Sequence, residues 1–313
     1  MTDAANHRVH VWDWKNNKRL GQFGDAKIFT GAVVDLAENP LTGQVIVTDE
    51  DSHLAYAFDP PKGDEAGDAK FSGYKNTDPQ MFNKEKVIKV GGITFDSKGR
   101  IYTVDARQNL VRRYDSKGTP DTTFKFTELG SNKFLNGCEG IAIDEKRGNI
   151  YVSDEFESTI RVFDLETGAY KKQTIGRQST PDTGALGDSV FPAAIEGLWI
   201  LDDYLLASNE ADTGGPGSLM IFDLRDEAIF NTGPADWKKR ETDKKSVPYK
   251  GAVGSFQSPD SVTAWTDKDG ESYVAVADQG HRKVPVYKWS DIVKAGNFKR
   301  AAEAQKPVEK PNK

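Results

Sequence analysis

The chain is nearly without cysteine: Cys138 is the single one in 313 residues, which excludes an intrachain disulfide framework. No apolar run approaches the roughly 20 residues a membrane helix needs. The opening residues, MTDAANHRVHVWDW, lack the apolar core of a signal peptide. Basic charge is not in excess either. The 42 Lys and Arg face 48 Asp and Glu, a net −6, so nothing gives the electrostatic footprint of a nucleic-acid binder. Histidine is scarce, and His7, His10, His53 and His281 show no paired metal spacing. Walker and GxGxxG patterns are missing. What is present is a soluble globular composition, 37% hydrophobic with 29 Gly and 14 Pro, long enough for two domains or for one all-β domain of many short strands.

Self-similarity decides between these. A ten-residue step links Asp154 to Asp164 (SDEFESTIRVFD), Asp49 to Asp59 (TDEDSHLAYAFD), Asp105 to Asp115 (VDARQNLVRRYD) and Asp3 to Asp13 (TDAANHRVHVWD). The later copies follow another short strand: AVVDLAENPLTG, GGITFDSKG and EGIAIDEKRG. Two diverged units begin at IEGLWILDDYLLAS and PDSVTAWTDKDGESYVAVAD. Each unit reads as strand, turn, strand, turn, strand and then a variable strand, rich in Val, Ile and aromatics and without 3.6-residue periodicity. Four-stranded units repeating about every 40–50 residues predict β-propeller blades. The expectation is an all-β, six-bladed β-propeller of four-stranded antiparallel blades, as one domain over residues 1–297. The blades fall near 1–25, 29–89, 90–132, 136–177, 194–240 and 258–297, the first incomplete at the N-terminus. Residues 295–306 are a candidate strand to complete it. Long polar loops fall at 60–88 and 224–256, and residues 298–313 read as a polar, disordered tail. Trp12, Trp14, Trp199, Trp265 and Trp289 are expected to pack between blades.

Carboxylates collect where strands should be apolar. In a propeller the start of a blade's first strand and the end of its second lie at one mouth of the central channel. Glu139 and Glu155, Glu196 and Glu210, and Asp260 and Asp278 occupy those positions in three consecutive units, with Asp35, Asp49, Glu50 and Asp105 as further members. Acids converging on one funnel repel, so a cation between them is expected, and oxygen-rich sets suit Ca²⁺. The other reading is turn chemistry, since a strand-end Asp bonds backbone N–H groups two residues on. Asp13, Asp59, Asp115, Asp164 and Asp223 fit that reading, and for Asp49, Asp105 and Asp154 both stand open. Beside Glu139, the Cys138 thiol is not expected to act as a nucleophile.

The stretch CEGIAIDEKRGNIYVSDE resembles the β-propeller phytases, six-bladed calcium-dependent phosphatases, and IEGL…YLLAS and PDSV…VADQG…VPVYKW extend the likeness over residues 136–290. The short pattern DAANHRVHVWD is similar to an NHL repeat. The phytase resemblance implies that Glu139, Glu155 and Glu196 ligate calcium or activate water, with Glu210, Asp260 and Asp278 completing the metal set. Tyr102, Arg107, His281 and Arg282 are the groups left to bind substrate. Departures accompany it. The phytase opening motif has no counterpart, its basic phosphate ligands fall near Ala4, Ala5 and Glu50, and Gly280-His281-Arg282-Lys283 replaces its last acidic loop. Two functions follow: a calcium-dependent hydrolase of a phosphoric ester, or of a lactone as in gluconolactonase-like propellers, and a non-catalytic NHL-type platform for a protein or glycan partner. Nucleic-acid partners and a membrane span are not expected, and the resemblance implies an extracellular or periplasmic location.

Overall fold

The second strand of each unit shows why the chain folds as it does. These strands, β5 (Val45–Asp49), β9 (Ile101–Asp105), β12 (Asn149–Asp154) and β16 (Tyr204–Asn209), are buried along their whole length. A strand buried on both faces needs a continuous apolar run rather than alternation, and runs such as VIVTD and NIYVSD supply it. The computed structural model describes residues 1–59, 75–78, 89–126, 135, 137–175, 194–210, 217–225, 228–231 and 256–295. Most of the two long loops and the tail expected at 298–313 lie outside these residues, as do residues 296–306, offered above as a strand.

Among the described residues the chain is almost wholly β and forms six antiparallel sheets. They comprise β1 (Thr2–Asp3), β2 (Arg8–Asp13) and β3 (Lys18–Phe23); then β4 (Val33–Glu38), β5, β6 (Leu54–Asp59) and β7 (Lys75–Asp78). The third holds β8 (Val90–Phe95), β9 and β10 (Leu110–Tyr114), and the fourth β11 (Ile141–Asp144), β12, β13 (Thr159–Asp164) and β14 (Tyr170–Ile175). The fifth is β15 (Ile195–Leu201), β16, β17 (Ser218–Asp223) and β18 (Ala228–Asn231); the last is β19 (Pro259–Thr266), β20 (Ser272–Asp278) and β21 (Val286–Lys288). A seven-residue helix, α1 (Trp289–Ala295), follows. Three sheets therefore carry four described strands and three carry three, where four were expected in every blade but the incomplete first.

The chain divides into two compact units, Met1–Leu198 and Trp199–Lys313. In the first, each sheet lays one face on the next. Val9 and Phe23 pack with Val45, Val47 and Phe58 of the second sheet, whose Ile46 and Ala57 turn the other way to meet Val90, Ile93 and Ile101. Tyr102 and Val104 then meet Ile141, Ile150 and Val152. The period of two along β5 and β9 assigns successive residues to opposite layers. In the second unit, Leu206, Leu219 and Ile221 pack on Val262, Val274 and Val276, and Trp289 packs against Tyr204, the rings tilted at 58° with centroids 5.1 Å apart. Not every tryptophan is a packing residue. Trp12 is 45% exposed and Trp199 36%, on strand positions that no layer covers among the described residues.

The sheets are also stitched by polar groups near the first-strand starts. Ile93 N donates to Asp35 Oδ2 at 2.9 Å, Gly92 N to the Glu139 carbonyl at 3.0 Å, and Ser153 Oγ to the Glu196 carbonyl at 3.4 Å. In the second unit Ser208 Oγ donates to the Asp260 carbonyl at 3.2 Å. The approach is close enough that a Cβ on Gly140 would stand 2.1 Å from the Glu196 carbonyl oxygen.

Candidate functional site

The acids at the ends of second strands hold turns. Asp49 Oδ1 accepts Ser52 N at 3.2 Å, Asp105 Oδ1 accepts Gln108 N at 3.2 Å, and Asp154 Oδ1 accepts Glu157 N at 3.1 Å. The residue after each donor adopts the left-handed region, His53 at φ 61°, Asn109 at 53° and Ser158 at 46°. Asp3 and His7 (φ 52°) repeat the pattern, with Asn6 donating to Asp3, so the first sheet begins at the end of a second strand. Asp278 is held by backbone donors from another segment and is not a free ligand for a metal. Its carboxylate, 3% exposed, accepts Ser258 N at 3.0 Å and Gln257 N at 3.1 Å, and His281 Nδ1 lies 2.6 Å from it. The turn reading also describes Asp13, Asp115, Asp164 and Asp223, each of which accepts a backbone N–H a few residues on.

The glutamates differ. Glu139 and Glu50 share one cation, but it is Lys89: the ammonium lies 3.2 Å from Glu139 Oε1 and 2.5 Å from Glu50 Oε1. Lys89 precedes β8, so three elements deliver a carboxylate–ammonium–carboxylate bridge to one end of the first unit. Glu155 follows β12 and its backbone N–H donates to the Gly137 carbonyl at 2.9 Å, while Glu196 lies on β15 beside the β11–β12 pair. Among the described residues, no three His, Cys, Asp or Glu side chains form a group able to hold a metal ion. The described residues therefore do not fit the calcium set that the phytase resemblance implies. At Glu139 the positive charge is the Lys89 ammonium, and Asp278 is taken up by N–H donors. In the second unit Glu210 Oε1 accepts the Ser258 hydroxyl, and Asp260 is exposed, with its carbonyl on Ser208.

The groups expected to bind substrate are scattered. Tyr102 is fully buried, its hydroxyl donating to Asp96 at 3.2 Å and its ring edge-on to Phe124; burial, with the Asp96 charge next, pushes its phenol up. It is a core residue. Arg107 is exposed in the 106–109 turn, and His281 and Arg282 are exposed in the 279–282 turn of the second unit. Cys138 is buried, and burial first, then the Glu139 and Asp154 charges, push its thiol up, which leaves it unreactive.

Two features escaped the sequence reading. One is Phe156, 69% exposed at the tip of the Asp154–Ser158 turn, with its ring over Gly137, where a Cβ would stand 2.4 Å from it. Gly137 N in turn donates to Asn109 Oδ1 at 3.0 Å, which ties two successive turns together. The other is the Ser258–Glu210 pair, whose members are 48 residues apart.

No family model matches the chain, and no curated protein is similar enough to match. Solved structures do resemble it. A nidogen/laminin complex superposes with a TM-score of 0.55 at 14% identity, covering 91% of both chains. The PQQ-bound aldose sugar dehydrogenase of Streptomyces coelicolor gives 0.55 at 12% identity, covering 92% of this chain and 89% of that one. Identities this low speak for the fold alone: the chain is an all-β protein of the β-propeller fold.

Proposed function

We propose that the protein is a binding propeller whose first unit presents a protein-recognition surface on its row of capped turns. Phe156 carries this reading. A phenyl ring exposed on a turn leaves apolar area in water that a partner covering it would bury. This ring is also pre-positioned, since Asp154 caps its turn and the ring lies over Gly137. A rigid aromatic loses little conformational entropy on binding, which is what makes such side chains interface anchors. Glu155 and Glu157 flank the ring, so the complementary segment carries an apolar side chain and basic groups. Lys89 supports a role in which Glu139 and Glu50 are neutralised internally.

Cross-linking of wild type and Phe156→Ala in an extract of producing cells, followed by reconstitution with the purified partner, tests this. The variant should lose the partner, with affinity falling at least about tenfold, the loss of 1.4 kcal/mol or more typical of an anchor residue, and should melt like wild type. Equal affinity in both would refute the platform.

A further inference from the structure

The second unit holds a cluster that the platform reading does not use. Glu210 follows β16, Ser258 precedes β19 and Asp278 ends β20, so three adjacent elements deliver side chains to one place. Ser258 Oγ donates to Glu210 Oε1. The backbone N–H of the same serine donates to Asp278 Oδ1 at 3.0 Å, and His281 Nδ1 lies 2.6 Å from Asp278 Oδ2. The imidazole side chain is 41% exposed over a carboxylate that is 3% exposed. An ionised carboxylate can only accept, so it fixes the proton on Nδ1 and leaves Nε2 as the basic nitrogen. The turn is shaped for this contact. A Cβ on Gly280 would stand 2.7 Å from Gln257 Cβ, so glycine lets the 279–282 turn close on Gln257 and seats His281 against Asp278. At the equivalent place in the first unit Ser52, Gln108 and Glu157 give their aspartates a backbone N–H, and the side chains beside Asp105 and Asp154 are arginines, Arg112 and Arg161, rather than a histidine.

A hydroxyl given to a carboxylate is a nucleophile with its base, and the imidazole shares with the serine's backbone N–H the aspartate that orients it. We propose that Ser258, Glu210, His281 and Asp278 form a catalytic site that hydrolyses carboxylic esters. Ser258 Oγ attacks the ester carbonyl while its proton passes to Glu210. The tetrahedral adduct collapses, the C–O bond to the alcohol breaks, and Glu210 returns the proton to the departing alkoxide. His281 Nε2 then takes a proton from water, the hydroxide attacks the acyl–Ser258 carbonyl, and the imidazolium protonates the serine oxygen as the carboxylic acid leaves. Ester and water become acid and alcohol, with the protein unchanged. Glu210 serves acylation and His281 serves deacylation, while Asp278 positions the imidazole. The assignment is independent of the platform in the first unit and stands or falls separately.

Two measurements on the full chain decide it. A fluorophosphonate probe should label wild type on Ser258, located by peptide mass mapping, and labelling should be lost in Glu210→Gln. With p-nitrophenyl acetate, Ser258→Ala and Glu210→Gln should lower nitrophenol release at least about 100-fold, the range for removing a nucleophile or its base. His281→Gln should instead show a burst and accumulate acetylated Ser258 in the intact mass spectrum. Failure of the probe to label Ser258 in wild type, which requires no variant to fold, overturns the site. So does a Ser258→Ala protein that melts like wild type and keeps its rate.

Discussion

Lys89 decides what the strand-end acids of the first unit can do. Its ammonium reaches both Glu50 and Glu139, with side chains 30%, 25% and 23% exposed, and so occupies the position that a shared metal ion would take. Solvent-accessible ion pairs stabilise by about 1 kcal/mol or less, so the bridge matters more for what it excludes than for stability. Removing the cation leaves two carboxylates facing each other, a disposition that favours a hard divalent ion. Lys89→Gln should therefore melt slightly lower than wild type in the presence of a chelator and gain melting temperature with millimolar calcium, because an ion that binds only the folded state stabilises it. Wild type should respond less. A variant with the same calcium response as wild type would show that the two glutamates do not face a common point. The bridge was hidden in the sequence because Lys89 and Glu139 lie 50 residues apart and no local pattern joins them. The aspartates were half legible: a strand-end Asp caps a turn and ligates a metal with the same oxygens, and only the donors around it separate the two.

Strands were legible for a different reason. Runs such as VIVTD and NIYVSD are buried on both faces and bounded by turn residues, so their positions are carried by composition alone. The ten-residue Asp-to-Asp step marks a capped turn plus one strand, and β12 and β13 pair in register through it from Asp154–Thr159 to Asn149–Asp164. What composition did not carry is how one sheet meets the next. That depends on Ser153 and Ser208 reaching a neighbouring carbonyl and on Gly140 lying against Glu196. The exposure of Trp12 and Trp199 belongs here too, since burial of a strand face depends on whether another layer covers it. Gly140→Ala tests the junction. Its Cβ would stand 2.1 Å from a backbone oxygen that has no rotamer to move, so the strands must part. We expect a cost of about 2 kcal/mol or more, in the range for overpacking. Gly148→Ala meets nothing within 4 Å and should cost only the left-handed backbone, φ 63°, about 1 kcal/mol. Chemical denaturation of both variants gives the order, and a Gly148 variant as damaging as the Gly140 one would contradict the close approach.

Stability against acid gathers these local arrangements into one curve. The chain carries net −6 at neutral pH, so its folded form tolerates a surplus of ionised carboxylates, many of them held by specific donors. Glu166 is the clearest. Arg100 grips it through Nη1 and Nη2 at 2.8 Å each, and that pair of hydrogen bonds, opposed by a smaller upward push from burial, brings the carboxyl down to about 2. At Asp3 and Asp121 burial pushes upward, yet side-chain donors, Asn6, His10 and Arg8 for one and Thr123 and Arg113 for the other, hold them at about 2. A carboxyl lowered in the folded state binds its proton more readily when unfolded. Its contribution is complete above the unfolded value, near 4.5 for Glu166, and disappears as pH falls through the folded value, about 2. Between these limits the unfolded chain binds more protons, so stability falls as acid is added. With its side chain 58% exposed, Glu166 is screened by solvent, and its share is about 1 kcal/mol or less. Melting temperatures measured from about pH 6 to about pH 2.5 should drop most steeply below about pH 4 for wild type. Glu166→Gln should start lower at neutral pH, fall less steeply, and approach the wild-type curve at the acid end. Parallel curves across the whole range would mean that Arg100 does not hold Glu166 in solution.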